Sequence, residues 1–298
     1  MRIPVDTPVA VETSSPTTQY WFEVWRIFVG NHKARWGSIV VGIFILLALF
    51  GPLIVRQDPH TFTADVLQSP SGSHWFGTTN FGEDVFVQTV IGARLSVLMG
   101  LGIGLVTTIV SVLVGLTSGY FLGWVDEVLS LLTNVFLVLP TLPLAILLAA
   151  FLPNKGPLAI GFILTITGWS WGARVLRSQT LSLRSRDCVE ASRASGESTW
   201  RIIFHEILPN QTAIVAAQFL GTVTYVILAE TALEYLGLGD ITATTWGNML
   251  FSASTNSALL RGAWWWFLPP GLCIAILGAA LTFVNFGVDE IANPRLRQ

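Results

Sequence analysis

The chain has 298 residues, 52% hydrophobic and 11% charged, with a formal net charge of −2. Soluble domains carry about 25% charged residues, and even a large core needs a wetted polar shell. The composition therefore excludes a soluble domain and calls for a lipid-facing surface. The charge offers no basic excess, and no nucleic-acid partner is expected. Cys188 and Cys273 fall in a polar loop and an apolar run, so neither a disulfide nor a metal site is expected.

Residues 1–20 are rich in Pro, Thr and Ser and lack a basic stretch leading straight into an apolar one. They read as a disordered cytoplasmic tail rather than a signal peptide. In residues 21–35, Phe22, Trp25, Phe28 and Val29 recur at helical spacing. That spacing predicts an amphipathic helix on the inner leaflet, with an inward extension of the first span as the alternative.

The remainder, 36–298, reads as a six-span all-α membrane domain. About 20 apolar residues cross a hydrocarbon core of about 30 Å. Six runs free of Asp, Glu, Lys and Arg are long enough: 36–55, 95–125, 128–154, 156–173, 207–229 and 262–288. The third and fourth are parted only by a Pro- and Gly-rich turn around Lys155. With the N-terminus inside, 12 of the 16 Lys and Arg residues fall on inner segments, and only Arg56, Arg94, Lys155 and Arg261 fall outside. This asymmetry places both termini in the cytoplasm. Trp264, Trp265 and Trp266 read as an interfacial belt, with a sugar-stacking platform as the weaker alternative. Asp126 and Glu127 read as a solvated turn.

Catalytic signatures are missing. A Walker A loop needs a Gly-Lys pair, but Lys33 follows His32 and Lys155 follows Asn154. No His-Glu-x-x-His or Gly-x-Ser-x-Gly pattern occurs, and the four histidines are scattered. The reading is that of a non-enzyme holding no cofactor of its own. Glu230 and Glu234 lie four apart near the outer end of the fifth run, either facing a translocation path or reaching the interface. No carboxylate relay crosses the bilayer, which disfavours a proton-coupled transporter.

The informative segment is the inner loop at about 178–208. Glu190 to Ser195 is helix-forming, and Gly196 can end that helix with positive φ. A second short helix is predicted over 198–206, with Trp200, Ile203 and Phe204 near one side, and Pro209 at the first turn of span five. A short helix tied to two spans suits docking into a cleft on a partner.

These residues resemble a known family. Glu190-Ala191, then Gly196, then Leu208-Pro209, look like the coupling loop of binding-protein-dependent ABC permeases. His74-Trp75-Phe76-Gly77-Thr78, Gly82-Glu83-Asp84 and Gly92-Ala93-Arg94 are similar to the segment before span two in the dipeptide/oligopeptide C-type permeases. Glu230-Thr231-Ala232, Leu236-Gly237-Leu238-Gly239, Trp246-Gly247-Asn248-Met249, Pro269-Pro270-Gly271 and Asn293-Pro294-Arg295-Leu296-Arg297 continue the likeness over about residues 30–298. Thr79, Glu83 and Glu234 depart from the pattern, all on the outer side, and Ser192 replaces a small Ala in the coupling triplet.

The resemblance implies a type I ABC importer permease in the bacterial plasma (inner) membrane. Its implied partners are a second homologous permease, two ABC ATPase subunits that hold ATP and Mg, and an extracytoplasmic solute-binding protein, with lipid around the bundle. Coupling would fall to Glu190, Ala191, Ser192, Arg193, Gly196, Arg201, Leu208 and Pro209. Glu230, Glu234, Asp84 and Trp246 are candidates for the path or outer gate. Short peptides are the expected cargo. Oligosaccharides or nickel complexes are alternatives on the same machinery, and a self-sufficient channel or secondary transporter is the rival class.

Overall fold

The computed structural model describes residues 28, 30–153 and 155–292. The tail 1–20, most of the segment read as an interfacial helix, and residues 293–297 lie outside them. Among the described residues the regular elements are helices, with one isolated bridge from Thr78 to Asp84.

Four helices are long and apolar enough to cross a membrane, and two bent helix pairs, each taken as one crossing, bring the number to six, matching the six apolar runs. The first is α1, His32–Ile54, capped by the Asn31 side chain, which accepts from the Ala34 amide. Lys33 and Arg35 thus belong to the spanning helix rather than to a separate element. The second is α2, Val85–Phe121, at 37 residues. At 1.5 Å per residue it is about 56 Å long and must project beyond the bilayer core. It starts ten residues before the uncharged run, at the Asp84 cap, because a helix continues through the exposed Arg94.

The third and fourth crossings are each broken. α3, Gly123–Val138, and α4, Thr141–Phe151, meet at 89°. Pro140 causes the break. Its ring has no N–H to donate and drives Leu139 out of the helical region, to ψ 129°. α5, Pro157–Gly168, and α6, Ser170–Arg184, meet at 43° around Trp169. The Trp169 carbonyl keeps its helical bond from the Ala173 amide at 3.1 Å and also accepts from Ser111 Oγ of α2 at 2.7 Å. α6 runs to Arg184 although the uncharged run ends at Ala173, so most of it, residues 174–184, is a basic extension carrying Arg174, Arg177 and Arg184.

α7 is Asp187–Ala194. The next helix, α8, spans Thr199–Tyr235 without a break. The sequence predicts a separate short helix ending before Pro209. Instead, a π-helical turn over Ile202–Ile207 passes into a 3₁₀ turn over Leu208–Gln211. The Leu208 amide bonds back to Ile203, five residues away. This local change of pitch admits Pro209, which cannot donate an i→i−4 bond. α9, Trp246–Thr255, lies in the segment that the sequence reading places outside, and α10, Trp264–Ala292, corresponds to the sixth apolar run.

Helices in lipid gain little from burying apolar surface against one another, so close backbone approach has to hold them. α2 supplies it with two Gly-x-x-x-Gly stripes. Gly100 and Gly104 receive Ile227 and Val223 of α8. Gly115 and Gly119 sit against α6, where an added Cβ would lie 2.8 Å from the Ala173 carbonyl and 2.9 Å from that of Arg177. Those neighbours are backbone and cannot swing aside. Gly119→Leu is therefore expected to lower stability by about 1–3 kcal/mol through overpacking, read as an earlier thermal transition in detergent. Wild-type melting would contradict the packing.

Two sequence expectations change here. Asp126 is not a solvated residue: it accepts two 2.6 Å bonds from Arg177 and others from Ser118 and Ser130, tying α3 to α2 and α6. The tryptophan triplet divides as well. Trp264 is exposed, Trp266 is 1% exposed in the core, and Trp265 Nε1 donates to the Thr78 carbonyl. Only Trp264 is free to act as a belt residue. The other two seal the outer segment onto α10.

Candidate functional site

The inner loop is built around one buried side chain. α7 buries only Val189, which packs into a cluster with Leu116 and Tyr120 of α2, Leu183 of α6, and Ile202, Ile203 and Ile207 of α8. Arg193 lies over the Tyr120 ring, 5.5 Å from its centroid. α7 thus shares one apolar cluster with residues of three spans. Its other face is open: Cys188, Glu190, Ala191, Arg193 and Ala194 are exposed and Ser192 is half-buried.

The end of α7 is a Schellman turn. The Glu197 amide bonds to the Ser192 carbonyl at 3.2 Å and the Gly196 amide to that of Arg193 at 3.1 Å. Gly196 has φ 76°, where a side chain would be strained. Arg201 pairs with Glu197 at 3.0 Å but is 65% exposed, so the pair contributes little stability. Leu208 is half-buried against the Val189 cluster, while Pro209 is exposed. Of the residues read from the sequence as coupling residues, Glu190, Ala191, Arg193, Gly196, Arg201 and Pro209 are exposed, Ser192 is half-buried, and Leu208 packs against the Val189 cluster. The trio that the sequence places near one side divides: Trp200 and Phe204 stack as an exposed pair, with ring centroids 5.8 Å apart, while Ile203 is buried.

On the outer side, Asp84 caps α2 by accepting from the Phe86 and Val87 amides. It also bonds His74 Nδ1 at 2.8 Å, and Asp65 lies 3.5 Å from His74 Nε2. The bond to Asp84, helped by Asp65, raises the His74 pKa above its usual 6.5 against the opposing effect of burial. A raised folded-state pKa adds stability that is fully present below about pH 6.5 and is lost as pH rises through the folded value. Amide-exchange protection of residues 56–84 should therefore fall as the pH climbs past neutral, and His74→Gln should flatten that dependence. A profile unchanged by the substitution would contradict the assignment.

Thr79 and Glu83, two departures from the resembled pattern, contact each other: Thr79 Oγ1 donates to Glu83 Oε2 at 3.1 Å, and His60 Nδ1 lies 3.2 Å from Glu83 Oε1. The third departure, Glu234, is 3% exposed and accepts from Thr245 Oγ1 at 2.7 Å. Gly239 and Gly247 leave room for it, since a Cβ at either would collide with the Glu234 side chain. Glu230, one turn inward on α8, is 2% exposed. Neither acid faces lipid. Trp246 is 0% exposed; its Nε1 donates to the Thr89 carbonyl and its ring meets Phe44 edge-on. Asp84 and Trp246 thus hold the outer layer together. Among the described residues, no group of three or more His, Cys, Asp or Glu side chains could hold a metal ion.

Apolar helices and bent helix pairs long enough for up to six crossings, joined by a short exposed helix, define a polytopic helical membrane protein. The family described as the inner membrane component of binding-protein-dependent transport systems matches residues 111–298, and the N-terminal transmembrane domain of oligopeptide transport permease C matches residues 19–70. The chain belongs to this family of ABC transport permeases. It is 34% identical over 294 residues to an oligopeptide transport system permease protein of Bacillus subtilis (strain 168), covering 97% of this chain and 94% of that one. Dipeptide transport system permease proteins of Alkalihalophilus pseudofirmus and B. subtilis are 33% and 32% identical over 289 residues, each covering 95% of this chain and respectively 94% and 88% of their own.

Proposed function

We propose that this chain forms half of the translocation path of an ATP-driven importer of short peptides, and that α7 is where the ATPase acts on it. The observation carrying this reading is the position of Val189. It anchors an otherwise exposed helix to the inner ends of α2, α6 and α8. A chain without a Walker A loop must take its energy from elsewhere, and a solvent-facing helix packed against three spans is suited to receive it. ATP and Mg would reside on two cytosolic ATPase subunits, and a second permease would complete the path. A solute-binding protein would deliver cargo from outside. The Lys and Arg asymmetry supports placing α7 and both termini in the cytoplasm. The names of the relatives support peptides as cargo.

Cys188 provides a direct test, because it is an exposed thiol on α7. In the assembled complex the ATPase pair should shield it, slowing its reaction with a maleimide relative to the permease alone. Equal labelling rates with and without the ATPase subunits would remove α7 as the docking element.

A further inference from the structure

A cavity of about 640 Å³ lies between the two broken spans, the middle of α8 and the last third of α10. Its lining includes Thr141 and Gly168, beside the two bends, and Gln218, Tyr225, Asn285 and Asp289. Three of those four side chains have buried polar atoms without a hydrogen-bond partner: both amide atoms of Gln218, the Tyr225 hydroxyl and Asn285 Oδ1. Gln218 is only 6% exposed. Buried polar groups in proteins are nearly always paired, and in a bilayer there is no bulk water to substitute. Four such atoms in the lining of one cavity point to an occupant that supplies the partners.

The bent span is shaped around these groups. A Cβ at Gly172 would collide with the Gln218 amide, and one at Gly168 would lie 3.2 Å from Tyr225 Cε1. The two glycines are four residues apart on the bent span, and Gln218 and Tyr225 are seven apart on the antiparallel α8. The glycines thus leave room for the amide and the phenol, which lie on the same face of α8 about two turns apart.

We propose that this cavity is a holding station for cargo, in which Gln218 and Tyr225 hydrogen-bond the peptide group of a short peptide. A carboxamide offers one donor and one acceptor side by side, the complement of the C=O and N–H of a peptide bond. The Tyr225 hydroxyl adds a third partner. Asn285 Oδ1 and the Asp289 carboxylate, one turn apart toward the inner end of α10, offer acceptors to the peptide's ammonium group. The inference rests on the importer reading above and specifies where along the path cargo pauses.

The test uses the complete importer in proteoliposomes, following uptake of radiolabelled alanyl-alanine and ATP hydrolysis together. Tyr225→Phe removes a single oxygen and Gln218→Leu replaces the amide with a near-isostere, so the cavity keeps its shape. Tyr225→Phe should slow peptide uptake about ten-fold, as expected when one hydrogen bond to bound cargo is lost, and Gln218→Leu, which removes a donor and an acceptor, at least as much. Binding-protein-stimulated ATP hydrolysis should continue at the wild-type rate. Wild-type uptake by both variants would overturn the proposal, leaving the cavity to solvent. Uptake and hydrolysis falling together, with loss of the assembled complex on gel filtration, would also overturn it, making the cavity a seam between subunits. If the unmodified importer takes up no peptide with ATP, the underlying reading fails, and that outcome is visible without any variant.

Discussion

Gly196→Pro should uncouple the transporter: uptake falls on the order of ten-fold or more, as expected for losing a typical coupling free energy between sites, while the chain stays folded in the membrane. Gly196 ends α7 at φ 76°. Proline fixes φ near −65° and carries no amide hydrogen. The substitution therefore forces a different chain path and deletes the Gly196 bond to the Arg193 carbonyl. Nothing lies within 4 Å of a Cβ built at this position, so crowding plays no part and the effect is purely one of backbone conformation. Gly196→Asn should consequently be mild, because Asn tolerates the left-handed region. Glu190→Arg probes the same surface differently. It reverses a charge on the exposed face of α7 and places a cation in the first turn, where the helix dipole favours an acid. Uptake per ATP hydrolysed reads both variants. Normal uptake in Gly196→Pro and Glu190→Arg together would remove the coupling role of this turn.

Arg177→Ala should cost about 2–4 kcal/mol of stability. Breaking a buried ion pair costs about 3–5 kcal/mol because the remaining charge has no partner. The lower figure allows for solvent screening of Arg177, whose side chain is 34% exposed against 14% for Asp126. The tie lies next to the α2–α3 corner, where Leu122 and Gly123 both adopt positive φ, at 56° and 58°. Losing the tie should loosen that corner as well as the α3–α6 contact. The double variant Asp126→Leu, Arg177→Leu should melt above Arg177→Ala, since removing both charges leaves nothing buried and unpaired. Thermal unfolding of the purified chain in detergent provides the measurement. A double variant no more stable than the single one would show that the pair is not what holds the corner.

Much of this molecule is legible in its sequence, and the boundary of legibility is physical. Six uncharged runs become six crossings because lipid penalises charge so strongly that composition alone marks a span. The φ of Gly196 was readable because few residues other than glycine end a helix in that way. Charge marks where an apolar run stops, not where a helix does. α2 begins at Val85 and not at Leu95, because a single exposed Arg94 does not stop a helix. The fourth span's helix runs past Ala173 to Arg184. Gln218 and Asn285 carry no charge and so leave no mark on such a run, yet they supply unpartnered polar atoms inside spans. An uncharged amide in the middle of an apolar run is a signal of its own. The Asp126–Arg177 pair joins residues 51 apart in the chain, and no local pattern announces such a contact. The Gly-x-x-x-Gly stripes at 100/104 and 115/119 were present in the sequence and could have predicted the central place of α2.

The direct test of the central claim is peptide uptake by this chain and its permease partner in proteoliposomes, with and without the two ATPase subunits. The account predicts uptake only when the ATPase pair, ATP and the solute-binding protein are all present. Uptake by the permease chains alone, without ATP, would contradict it.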